Sequence, residues 1–253
     1  MTAYLENPRI WQESWDRQQA TFLPDREERF GTMLGGVAAV TAGRPPRLLD
    51  LAGGTGSIGL RTLTRWPDAR VTVLDQDPVL LEIARSSLRD RAAVVDADLG
   101  DPSWRAKLPE EGFDAVLTAT ALHWLPADRV ATLYGEIREV LRPGGIFANA
   151  DYMPEESLPV LSEKLRDHGR DLREARYATG AATSWPDWWA RAAADEFLAP
   201  RMAERDLIYP THRHSHEWTP PAVWHIDALR VAGFTEAGVL WRGGTDAAVA
   251  GLR

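Results

Sequence analysis

Cysteine is absent from the 253 residues, and lysine occurs only at Lys107 and Lys164. Without thiols the chain can form no disulfide, no thiolate nucleophile and no zinc site built on Cys. Long apolar runs are missing as well, and none approaches the length of a membrane span. The opening segment MTAYLENPRIW has no basic region followed by an apolar core, so a cytoplasmic protein that does not engage the membrane is expected. Nor is there an excess of positive charge. The formal net charge of -8 disfavours broad contact with nucleic acid phosphates, so no nucleic acid partner is expected.

What remains is an ordinary globular composition, 44% hydrophobic and 26% charged, at a length that suits one large α/β domain or two small ones. Eleven tryptophans stand out. The most informative stretch is LLDLAGGTGSIGL, residues 48–60. It reads as a buried strand that breaks into a glycine loop and restarts as a helix. Glycines let the backbone pass close to a ligand, and the N–H groups opening the next helix can donate to it. Gly54, Gly56 and Gly59 fit G-x-G-x-x-G, the spacing of dinucleotide folds, although such turns are common. Asp50 argues for a different ligand. A carboxylate just before the loop would repel a pyrophosphate but suits a zwitterion carrying an ammonium group. Ala52 stands at the first glycine position of D-x-G-x-G-x-G and implies ordinary backbone angles there.

Downstream, strand-like and helix-like segments alternate. Val71–Asp75 reads as a second strand, and Asp75 lies 19 positions beyond Gly56, where a strand-end acid meets vicinal ribose hydroxyls. Asp77-Pro78 caps the following helix. Residues 92–95 form a short third strand leading into Asp96-Ala-Asp98-Leu99. Residues 113–118 form the fourth strand, which runs into Ala119 and the segment ALHWL containing His123 and Trp124. After a helix, LRPGG leads to a fifth strand ending at Asp151 and Tyr152. This rhythm implies a parallel sheet with right-handed crossovers, whose ligands bind beyond the C-terminal strand ends. Asp50, Asp75, Asp98, Thr118 to His123 and Asp151 all fall at such ends.

The D-x-G-x-G-x-G loop followed by strand–ALHWL–helix–LRPGG–strand resembles the class I S-adenosylmethionine-dependent methyltransferases. Within them it is similar to the branch holding trans-aconitate and quinone C-methyltransferases. The resemblance covers roughly residues 47–151. It implies a Rossmann-like, seven-stranded, mostly parallel sheet with helices on both faces and an antiparallel closing hairpin. It also implies a single domain: a helical cap (1–46), a cofactor core (47–153), a helical lid insertion (154–219), then a closing helix and hairpin (220–253). The implied cofactor is S-adenosyl-L-methionine, held by Asp50, Ala52, Gly53, Gly54, Gly56, Asp75, Gln76, Asp98, Leu99, Thr118 and Ala119, with Asp96 competing for the place of Asp98.

The implied reaction is in-line displacement of a methyl group onto an O-, N- or C-nucleophile of a small molecule. His123, with Asp151 and Tyr152 next, is the expected base. No N/D-P-P-Y/F sequence follows the fourth strand, which favours a small-molecule acceptor. Trp11, Trp15, Trp124, Tyr152, Trp188 and Trp189 are candidate acceptor contacts, whereas Trp185 is expected in the core. Two other readings stay open: an S-adenosylmethionine-binding protein that does not methylate, and a nicotinamide oxidoreductase. His212, His214 and His216 would share one face of a strand, but no acid stands at ligand spacing, so no metal is expected. Oligomeric state is not readable from the sequence.

Overall fold

A computed structural model describes residues 5–209 and 217–253. The three clustered histidines named above lie outside the described residues. At the centre is a seven-stranded sheet in the order β3-β2-β1-β4-β5-β7-β6. Its parallel part comprises β1 (Arg47–Leu51), β2 (Arg70–Asp75), β3 (Ala92–Asp96), β4 (Phe113–Ala119) and β5 (Leu141–Tyr152). β6 (Glu236–Gly243) and β7 (Asp246–Leu252) close it as an antiparallel hairpin, β7 running antiparallel to β5. The expected sheet is therefore the observed one. β1 is flanked by β2 on one side and β4 on the other, so strand order reverses beside it and a crevice opens at its C-terminal end.

The central strands β1, β2 and β4 have both faces covered, and each is an apolar run for that reason. On one face α2 (Arg26–Thr41) and α3 (Ser57–Arg65) bury Met33, Val37, Ile58 and Leu63 against Leu48, Val71, Val73 and Leu117. On the other, α5 (Ala127–Val140) and α9 (Ala222–Val231) bury Leu133, Tyr134, Ile137 and Leu229 against Leu49, Val116 and Phe147. α4 (Pro78–Leu88) opens on Asp77, whose carboxylate accepts from the N–H groups of Val79 and Leu80 at 3.0 and 3.2 Å. That satisfies two of the four N–H groups a helix start leaves without partners.

A third cluster corrects the expectation for the tryptophans. α1 (Pro8–Phe22) and α7 (Trp185–Ala194) meet above α4. Trp11, Trp15, Trp188 and Trp189 are all buried there among Leu5, Val79, Leu80, Ile83 and Leu198. Trp15 stands edge-on to Trp188 at a centroid distance of 4.9 Å, and Trp188 donates its indole N–H to Ser14 Oγ at 3.1 Å. These indoles bind the N-terminal helix to the insertion through edge-to-face contacts. The expected order within α7 is reversed: Trp188 is fully buried, and Trp185 is 39% exposed at the margin. Ser184 caps this helix by accepting from the Asp187 N–H. α6 (Pro159–Ala178) and α8 (Ala199–Ile208) complete the insertion, and α8 lies along α4 through Arg205, which reaches Asp77 at 2.7 Å.

Candidate functional site

The C-terminal edge of the sheet collects the chemistry, beginning with the loop after β1. Gly54 and Gly56 have φ of 55° and 77°, in the left-handed region where glycine has no steric penalty. A Cβ on Gly53 would lie 2.6 Å from the Asp50 carboxyl carbon, so this close packing admits only glycine. Ala52 overturns its expectation: its φ is 51°, a left-handed conformation on a residue that carries a Cβ. Such strain costs about 1–2 kcal/mol. Ala52→Gly should therefore stabilise the fold by about 0.5–1 kcal/mol after the added flexibility of the unfolded chain is counted. Thermal unfolding would show a melting point a few degrees higher, and a lower one would refute the strain.

Asp50 sits beneath the loop, 1% exposed, rather than in front of it. Its carboxylate accepts from the Gly59 N–H at 2.9 Å and so ties the loop to the first turn of α3. Burial pushes its pKa up to about 7, against the pull of that hydrogen bond. The sequence reading of a carboxylate aimed at an ammonium gives way to one that shapes the loop from inside.

Asp75 ends β2 and faces the crevice. It accepts from the N–H groups of Gly54 at 2.8 Å, Gln76 at 2.8 Å and Asp77 at 2.9 Å. Burial raises its pKa to about 6 even so. Tyr209, at the end of α8, lies beside Asp75, Asp77 and Gln76; burial and those two acids push its phenol well above its usual range. On the far side of the loop, α1 brings in Gln12, which donates to Ser57 Oγ at 3.1 Å, and Asp16, which accepts from Ser57 Oγ at 2.8 Å. Gln12 Oε1 is buried with no partner among the described residues.

Beyond β3, Asp98 is exposed and accepts from the Gly100 N–H at 2.7 Å, while Leu99 is buried in the core. Thr118 is fully buried near the end of β4, and its Oγ1 has no partner among the described residues. Ala119 follows, and Thr120 turns the chain with φ 53°. A short turn, Leu122–Trp124, then presents His123. Its Nδ1 meets both oxygens of Asp151, at 2.9 and 3.0 Å. Burial alone would lower the His123 pKa, but the hydrogen bond and charge of Asp151, helped by Glu217, leave it raised. Trp124 stacks obliquely on His123 at 4.8 Å and is 51% exposed. The sequence thus placed both members of this pair at strand ends, and the fold brings them into contact.

Gln12, Asp16 and Tyr209 escaped the sequence reading. A signal existed for α1: Gln18 occupies the apolar face of Trp11 and Trp15 at i+7 and i+3, yet it is 1% exposed with Nε2 unpartnered among the described residues. For Tyr209 no local pattern points to Asp75. No group of His, Asp and Glu among the described residues could hold a metal, and no described helix is long and apolar enough to cross a membrane.

An open α/β sheet with a glycine loop at its reversal point and an acid ending the next strand defines a nucleoside-cofactor protein. Known proteins narrow the class. Residues 48–145 match a family described as a methyltransferase domain. Over 208 residues the chain is 30% identical to a trans-aconitate 2-methyltransferase of Azoarcus sp. (strain BH72), covering 81% of this chain and 71% of that one. Over 106 residues it is 40% identical to a ubiquinone/menaquinone biosynthesis C-methyltransferase of Methylobacterium nodulans, 41% of each chain. Human N-acetylserotonin methyltransferase, solved with S-adenosylmethionine, shares the fold at a TM-score of 0.58 and 17% identity, over 98% of this chain and 57% of that one. The chain belongs to the class I S-adenosylmethionine-dependent methyltransferases.

The residues present fit that cofactor. The β2-end carboxylate offers two acceptor oxygens to vicinal hydroxyls, the loop admits no side chain at Gly53, and Gln12 Oε1 is a buried acceptor without a partner beside Ser57.

Proposed function

We propose that this methyltransferase acts on a small organic acid, methylating a carboxylate oxygen, and that it works in the cytoplasm in small-molecule metabolism. The observation that carries the reading is the His123–Asp151 pair. A carboxylate nucleophile is already ionised at neutral pH and needs no base; what helps it is a cationic donor that holds one oxygen in line. Asp151 favours the charged imidazole, leaving Nε2–H free to donate to such an oxygen. This changes the role expected from sequence, a neutral base, while keeping both residues in the reaction. The name of the Azoarcus relative supports the same acceptor class.

In this reading Asp75 and Gln76 hold the ribose side of S-adenosylmethionine, Asp98 and Leu99 its adenine, and Gly53, Gly54 and Gly56 its methionine part, with Ala52 and Asp50 shaping the loop. The bound cofactor supplies a sulfonium methyl group to an in-line nucleophile. Thr118 and Ala119 form the floor between cofactor and acceptor, and Tyr152 and Trp124 lie at the acceptor side. The described parts of the N-terminal segment (5–46) and of the insertion (154–209) form a cover that excludes water, joined by Trp11, Trp15, Trp188 and Trp189. The test is transfer of labelled methyl groups to panels of carboxylic acids, phenols, amines and quinones. Label on the carboxylic acids, released by mild base as methanol, is expected; label confined to another panel would refute the reading.

A further inference from the structure

The loop that leaves β3 is fastened at both ends to one face of α5. Asp98 opens it as a tight turn. One carboxylate oxygen accepts from the Gly100 N–H at 2.7 Å, and the Asp98 carbonyl accepts from the Asp101 N–H at 3.1 Å. Asp101 then caps the short turn Pro102–Lys107, which carries the fully buried Trp104. At the start of the loop, Arg129 Nε donates to the Leu99 carbonyl at 2.6 Å. At its end, the Trp104 indole N–H donates to Glu136 Oε2, also at 2.6 Å. Arg129 and Glu136 stand seven positions apart, two turns along the same helical face. Two hydrogen bonds join them, Nη1 to Oε1 at 3.0 Å and Nη2 to Oε2 at 2.6 Å.

Stability alone is a poor account of this arrangement. The two side chains are 11% and 9% exposed. Taking an ion pair that far out of water costs about as much as the pairing returns, and an apolar pair of similar size is often as stable. What a forked, two-bond pair supplies is register. Here the register is that of the loop, because the remaining Nε donor meets the Leu99 carbonyl and the acid meets Trp104. Holding one oxygen of the Asp98 carboxylate within the turn then fixes the direction of the other.

We infer that Arg129 and Glu136 are positioning residues for the cofactor, a clamp that sets where the Asp98 carboxylate stands. The clamp thereby sets the preference for a 6-amino purine, whose N–H donates to that carboxylate, over a 6-oxo purine, whose oxygen is repelled by it. This role rests on placing adenine at Asp98 and Leu99, as in the reading above.

Calorimetric titration of the full chain with S-adenosylhomocysteine and with S-inosylhomocysteine, its 6-oxo counterpart, tests the clamp without turnover. Wild type should prefer S-adenosylhomocysteine by about tenfold or more. Arg129→Met combined with Glu136→Gln removes both charges, and the Gln amide oxygen still accepts from Trp104, so no buried charge is left alone. This double variant should bind S-adenosylhomocysteine about tenfold more weakly and S-inosylhomocysteine within about twofold of wild type, so that the preference collapses. Equal losses for the two ligands, or none, are what a purely structural pair gives, and either result overturns the clamp. Should the double variant melt early, Arg129→Lys decides. It keeps a cation beside Glu136 but has no fork to hold the Leu99 carbonyl as well, so the preference should again fall. A wild-type preference in Arg129→Lys counts against the clamp alone. A wild-type chain that binds the two ligands equally sinks both the clamp and the adenine placement beneath it.

Discussion

Asp75→Ala is expected to weaken S-adenosylmethionine binding by at least about a hundredfold, the loss of two charge-assisted hydrogen bonds at about 1.5 kcal/mol each. The argument does not rest on strand position alone. Three backbone N–H groups converge on this carboxylate, one of them from Gly54 of the loop, so the side chain also joins the two cofactor-facing segments. Its removal leaves the Gly54 N–H without that acceptor as well.

The sign of the pH effect follows. Burial raises the pKa of Asp75 to about 6, so the free protein begins to protonate it just below neutrality. Ribose hydroxyls donate best to the ionised form, and cofactor affinity should fall as pH drops through about 6, then stay flat above it. In Asp75→Ala that slope should vanish. Isothermal titration at pH 5, 6, 7 and 8 checks both statements. Wild-type affinity in the variant would remove Asp75 from the cofactor site.

The parallel sheet was readable because each strand is an apolar run bounded by a turn signal, and because the polar residues fall at one end of every run. Those features are local. The helix cap at Asp77 was equally legible, since a cap is decided within four residues. What local pattern could not supply was direction. Asp50 and Asp75 both lie near the ends of neighbouring strands, but Asp50 is in register with Val73, two residues short of Asp75. One carboxylate therefore stays beneath its loop and accepts from Gly59, while the other sits at the strand's last residue and accepts from Gly54.

The tryptophans failed for a related reason. Helical spacing shows that Trp185, Trp188 and Trp189 share a stripe, but the stripe's partner is α1, more than a hundred and fifty residues earlier in the chain. A stripe has no way to state whether it meets a ligand or another helix. Ala52 is different again: an alanine in the left-handed region gives no sequence warning, because alanine ordinarily marks the absence of such a conformation.

His123→Ala should lower kcat by about 10- to 100-fold while leaving S-adenosylhomocysteine affinity within about twofold, a loss of the size that one positioned donor contributes. The more decisive readout is the direction of the pH–rate profile. Asp151 favours the imidazolium, so the His123 pKa lies above its ordinary value of 6.5. If the charged ring orients a carboxylate, kcat falls as pH rises through that raised pKa. A neutral base acting on a phenol or an enol gives the opposite slope over the same range. Asp151→Asn separates the two further. The amide oxygen still accepts from Nδ1–H, but the negative charge is gone, so the imidazolium loses its support and the midpoint moves toward lower pH. At pH 8 the donor reading therefore expects this variant to lose more activity than at pH 6. The base reading expects it to lose less at pH 6 than wild type would on protonation, because more of its imidazole is neutral there. A kcat that rises with pH in the wild type, with a midpoint that drops in Asp151→Asn, would make His123 the base and move the acceptor to a hydroxyl or carbon acid.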